Sequence, residues 1–181
     1  MSYNTRRATE EDLKFVRSSW LSSYSESAFA RMIAKPLYFL RWEPRIEEVL
    51  KAPGVVVLMA YDTETPTIVV GYLVWQTLQQ RPPEVLYPAV AHYCYVKKEF
   101  RKSGVLVTLL ERSGLMSGGG FYVSHTNIDI KEMILDHNIE PHPVYDPTLF
   151  IDGNHGLYEK YLRLRQYVDD SRAEASQEYQ D

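Results

Sequence analysis

The segment from Ala91 to Gly114, AHYCYVKKEFRKSGVLVTLLERSG, holds the residues best suited to chemistry in this chain. His92 titrates near neutral pH, which suits general-base work. Nine residues on, Arg101-Lys102-Ser103-Gly104 forms a basic turn with one glycine. Gly104 lets the backbone come close to a ligand. The first N–H groups of a following helix point outward with the positive end of its dipole, so the turn suits a diphosphate.

The elements that must carry these residues follow from periodicity. His92 to Val96 alternate and are rich in β-branched and aromatic types, while Val105, Leu106, Leu109 and Leu110 recur at helical spacing, so a strand runs into a helix. Strict alternation puts Val90, His92, Cys94 and Val96 on one face and Ala91, Tyr93 and Tyr95 on the other. Upstream, residues 3–7 read as a first strand. Thr9 reads as the N-cap of a helix with Asp12 at the box position, ahead of an apolar stripe through Leu13, Val16, Trp20 and Leu21. Helices are expected over 27–34, ending before Pro36, and over 42–51, stopped by Pro53-Gly54. Strands at 55–61 and 67–75 flank a hairpin at Asp62-Thr63-Glu64-Thr65-Pro66. A strand at 121–124, a helix at 128–137, a strand at 146–151 and a helix at 156–167 complete the order. Residues 169–181, poor in apolar types, read as a frayed tail beyond a single domain over 1–168.

This order, together with Val96, Arg101 and Gly104, resembles the GNAT family of N-acetyltransferases. Its pyrophosphate motif runs Arg/Gln-x-x-Gly-x-Gly/Ala after a Val-x-Pro strand end. Lys98 stands at the proline position, and Leu106 at a position that is small in the family, where its side chain is expected to crowd the diphosphate or the adjacent strand. The opening Arg7-Ala8-Thr9-x-x-Asp12 is also common in the family. A narrower likeness, in Ser19-Trp20-Leu21 with Ser23-Tyr24, is to small GNAT-like proteins of tailed bacteriophages.

The resemblance implies an α/β (α+β) fold with a mixed, mostly antiparallel sheet flanked by helices and splayed between strands 4 and 5. It implies acetyl-CoA or coenzyme A held by Arg101, Lys102, Ser103, Gly104, Val105 and Leu106, with Asn127 contributing. A backbone amide at Tyr95 or Val96 is then expected to polarise the thioester carbonyl. His92 occupies a stretch where some members carry a catalytic base. The family's acid, a Tyr after the fifth strand, is replaced by Ile134 when Asn127 to Ile139 are laid on the pattern, which leaves Tyr158, Tyr145 from a loop, or solvent to protonate the thiolate. Tyr24 and Tyr38 are expected beside the acceptor amine. The runner-up reading is a GNAT-fold protein that binds another protein with little or no catalysis.

Bulk properties narrow the partners. A formal charge of −4 over 181 residues gives no general attraction to nucleic acid or anionic membranes. One cysteine allows no intrachain disulfide and fits a reducing cytoplasm, that of a host if the chain is phage-encoded. No apolar run approaches a membrane span. An acyl-CoA, an amine acceptor, a protein partner or a second copy of the chain remain. His125, Asp129, His137 and His142 match no closed zinc spacing, and Gly118-Gly119-Gly120 lacks the Lys-Ser/Thr of a P-loop.

Overall fold

The computed structural model describes residues 2–25, 34–78, 86–117, 119–124, 143–146 and 149. Among the described residues six strands form one sheet in the order β1 (Tyr3–Arg7), β2 (Val55–Asp62), β3 (Val69–Thr77), β4 (Ala89–Val96), β5 (Tyr122–Val123), β6 (Val144–Tyr145). The first four are antiparallel neighbours, and β4–β5 and β5–β6 are parallel. Helices α1 (Glu10–Ser25) and α2 (Lys35–Lys51) cover one face, and α3 (Val105–Ser113) covers the other.

Alternation along β2 builds both layers. Val57, Met59 and Tyr61 join Val16, Trp20, Ile46 and Val49 on the α1–α2 side, while Ala60 joins Val105 and Leu109 on the α3 side. Helix α1 starts where the sequence places it. Asp12 Oδ2 accepts from the Thr9 N–H at 2.7 Å and the Thr9 hydroxyl at 2.9 Å, and Arg6 pairs with the same carboxylate. Helix α2 starts seven residues earlier than expected. Pro36 opens it, since the first turn needs no N–H from that position, and Pro44 is carried inside it.

The strand expected at 146–151 is displaced. The last described strand is Val144–Tyr145, and Leu149 already has a helical backbone. The helices expected at 128–137 and 156–167, most of that expected at 27–34, and the tail at 169–181 lie outside the described residues. No described helix is long and apolar enough to cross a membrane.

Candidate active site

Strand β4 delivers the chain into the basic turn. After Val96, a 3-10 turn at Lys98–Phe100 leads to Arg101, and α3 begins behind Gly104, whose φ of 90° and ψ of 0° are left-handed. Lys102, at φ 64°, is also left-handed. The turn is tied from within, because the Ser103 hydroxyl donates to the Phe100 carbonyl at 2.6 Å and accepts from the Tyr3 hydroxyl at 2.7 Å. Ser103 can therefore serve a ligand best through its backbone.

The first bond of α3 runs from the Thr108 N–H to the Gly104 carbonyl at 3.0 Å, and no side chain caps the helix. The N–H groups of Val105, Leu106 and Val107 precede that bond and have no acceptor in their own helix. A Cβ added to Gly104 would meet nothing within 4 Å, so the approach to these donors is open among the described residues. Lys102 and Arg101 are exposed beside them, and the Arg101 Nε donates to the Val96 carbonyl at 3.2 Å. Val105 is buried. Leu106 is half-buried and packs against the α3-side core.

Strand β4 does not alternate strictly. Val74 pairs with Tyr93 but Trp75 pairs with Ala91, so His92 is the extra residue of a β-bulge. Two hydrogen bonds show the consequence. The Ala91 carbonyl faces β5, accepting from the Ser124 N–H at 3.1 Å, whereas the Lys97 N–H faces β3, donating to Val70 at 2.9 Å. Residues six apart would face the same way on a regular ladder. Beyond the bulge, Tyr93 and Tyr95 turn their backbone to β3, and Cys94 and Val96 turn theirs to the β5 side. The register thus separates the two amides named for the thioester carbonyl, Tyr95 facing β3 and Val96 facing outward. Among the described residues β5 pairs with β4 at Val90 and Ala91, upstream of the outward-facing Val96 amide.

The bulge also corrects the face assignment. Ala89, Ala91, Cys94 and Val96 pack on the α3 side, while Tyr93 and Tyr95 pack on the α1–α2 side. There the rings form a row. Trp20 stacks on Tyr93 at 4.7 Å, and Tyr72 stacks on Tyr95 at 5.5 Å. Phe15 meets the Tyr72 and Tyr95 rings edge-on.

His92 is 1% exposed. Its Nε2 lies 3.0 Å from the Gln76 Oε1, and its Nδ1 lies 3.3 Å from the Ser124 hydroxyl. Both ring nitrogens are engaged, so this geometry does not present a base to a substrate. Tyr38 is buried too, with its hydroxyl 3.3 Å from the Leu21 carbonyl it donates to, and offers no surface to an acceptor. Burial pushes the Tyr72 phenol well above its ordinary value and raises the Tyr93 phenol and the Cys94 thiol each to about 12. These three stay neutral at physiological pH. Tyr158 and Asn127 lie outside the described residues, as do the four His and Asp positions weighed as metal ligands and the side chain of Tyr24. Among the described residues no cluster of His, Cys, Asp or Glu is fit to hold a metal.

Sequence reasoning missed Gln76, Ser124 and the bulge. Gln76 left a signal as the one amide in the apolar strand VVGYLVWQT. Ser124, 32 residues from His92, left none.

A mixed, mostly antiparallel sheet flanked by helices is shared with solved acetyltransferases. The fold is the GNAT fold. A histone acetyltransferase HPA2-related acetyltransferase from Corynebacterium glutamicum superposes with a TM-score of 0.55 at 18% identity, over 76% of this chain and 84% of that one. An acetyl transferase candidate from Pyrococcus furiosus gives 0.58 at 16% identity, over 79% and 96%. Aminoglycoside N-acetyltransferase AAC(6')-Iy, solved with coenzyme A, gives 0.52 at 12% identity, over 79% and 90%. Identities this low speak for the GNAT fold alone. No protein-family model and no curated protein matches the chain.

Proposed function

We propose that this protein is an acyl-CoA-dependent N-acyltransferase that moves an acetyl group from acetyl-CoA to an amine of a small molecule or a protein. The observation that carries the reading is the uncapped start of α3, with its open Gly104, following a β4 whose bulge turns the Val96 amide away from β3. The N–H groups of Val105, Leu106 and Val107 hold the diphosphate, Arg101 and Lys102 add charge, and Ser103 shapes the turn. Bound acetyl-CoA supplies the activated acyl group, whose C–S bond breaks as the C–N bond to the amine forms. The outward amide of Val96 polarises the thioester carbonyl. Tyr158 is the proposed acid for the departing thiolate, Asn127 a further coenzyme contact and Tyr24 an acceptor contact. One cysteine and the acidic balance suit work in a reducing cytoplasm away from nucleic acid.

A second reading has support of its own. His92 is engaged at both nitrogens, and Tyr72, Tyr93 and Cys94 are held neutral, so these groups leave the amine to be deprotonated by solvent or not at all. On that reading the chain binds the coenzyme and acts by docking to another protein. The two separate in one assay, in which acetyl-CoA is mixed with a panel of amines and free thiol is followed. Amine-dependent thiol release is the result expected of the enzyme. Coenzyme binding without release supports the docking protein, and no binding at millimolar coenzyme overturns both.

A further inference from the structure

The chain Pro53–Gln76–His92–Ser124, buried from Gln76 to Ser124, ties a titratable side chain to the one irregularity of β4. The Gln76 amide N–H donates to the Pro53 carbonyl at 2.8 Å. Only the NH₂ of an amide can donate, so the orientation of Gln76 is fixed with Oε1 toward His92. That oxygen, 3.0 Å from Nε2, accepts only if Nε2 carries the proton. The tautomer follows: Nε2–H, with the Nδ1 lone pair facing the Ser124 hydroxyl at 3.3 Å. The same hydroxyl lies 3.3 Å from the carbonyl of His92 itself, and its single proton serves one of these two acceptors at a time.

The bulge decides which amide turns away from β3. Without it, the outward face of Ala91 would carry through by alternation to Tyr93 and Tyr95, and Val96 would turn to β3. The Tyr93 and Tyr95 rings would swing from α1 to α3 at the same time. Bulges re-aim side chains and end pairing in this way near working sites.

We propose that His92 is a positioning residue of the thioester site, locked between Gln76 and Ser124 so that the bulge presents the Val96 amide. The proposal rests on the acyl-CoA reading for its purpose, but the lock itself is measured without turnover. Long-range ¹⁵N NMR of the imidazole is expected to show the Nε2–H tautomer, and Nδ1–H overturns the lock whether or not the protein is an enzyme.

The purpose is tested with His92→Gln, His92→Leu and Gln76→Met. Glutamine keeps a donor and an acceptor but takes up no proton at neutral pH. His92→Gln is expected to retain most turnover, with the shape of the pH profile unchanged. His92→Leu and Gln76→Met are expected to lose kcat by roughly 100-fold, as misplacement of a reacting group does, with coenzyme affinity unchanged. In the wild type, acetyl-CoA compared with coenzyme A is expected to shift the Val96 amide resonance, and in His92→Leu or Gln76→Met it is not. If His92→Gln falls as far as His92→Leu, His92 is a base and the positioning role is overturned. Retention of the Val96 shift in both apolar variants overturns it as well. Should the wild type bind no acyl-CoA, the functional reading fails and the tautomer measurement still decides the lock.

Discussion

A Cβ placed on Gly71 would lie 2.6 Å from the carbonyl oxygen of Tyr95 and 3.2 Å from Val105. Strand β3 therefore comes closest to β4 and α3 at the end of the sheet where the Val96 amide emerges, and only glycine allows it. Gly71→Ala must push β4 away, at a cost of about 1–3 kcal/mol of the kind seen for overpacked cores. A lower melting temperature and a loss of turnover larger than the loss of coenzyme affinity are expected. A variant as stable and active as the wild type would show that β4 is free to shift there.

The two left-handed glycines that bracket α3 provide a matched pair. Gly104 at φ 90° and Gly114 at φ 78° are both left-handed, and a methyl on either would stand in open space, so alanine at either carries the same backbone strain of roughly 1–2 kcal/mol. Only Gly104 borders the uncapped N–H groups. Similar falls in melting temperature are expected for Gly104→Ala and Gly114→Ala, with coenzyme affinity reduced in the first alone. Equal affinity in the two would make Gly104 a merely structural glycine.

Much of this layout was legible from residue types alone. Strand β1, the Thr9–Asp12 start of α1, the hairpin after β2 and the Arg101–Gly104 turn follow from local patterns: alternation, a capping box, turn chemistry and a glycine before an apolar helical stripe. Pro36 misled because proline ends a helix or opens one by the same chemistry, and only its neighbours decide. The bulge was illegible for a different reason. Period-2 parity assumes a regular ladder, and the residue that breaks it, His92, is held by Gln76 and Ser124 from outside its own strand. Tyr38 read as an acceptor contact because a tyrosine near a groove and a tyrosine in the core look alike until packing separates them.

The Cys94 thiol packs against the α3-side core, and burial raises it to about 12. A folded-state value above the unfolded one, about 8.5 for a free thiol, means that the stabilisation is complete below the unfolded value and is lost as the pH climbs toward 12. Cys94 is half-buried, and iodoacetamide at pH near 8 is expected to alkylate it far more slowly in the native protein than in denaturant, as read by mass. Rapid alkylation of the native protein would contradict this burial.

Asp12 shows the opposite sign. The Arg6 guanidinium, followed by the Thr9 N–H and hydroxyl, holds its carboxyl down at about 2. Its contribution is present above the usual carboxylate range and is lost as the pH falls through about 2. Asp12→Asn is expected to cost about 1 kcal/mol at neutral pH through the weakened helix start. The gap in melting temperature between wild type and variant should close as the solution is acidified below pH 4, and a gap that stays constant would place the effect elsewhere.

The central claim, that α3 receives the diphosphate of an acyl-CoA, is tested most directly by an amide ¹H–¹⁵N titration with coenzyme A. The largest shifts are expected at Gly104, Val105, Leu106 and Val107, with smaller ones along Cys94 to Val96. No shift at millimolar coenzyme, or shifts confined to the far end of α3 around Gly114, would contradict the account.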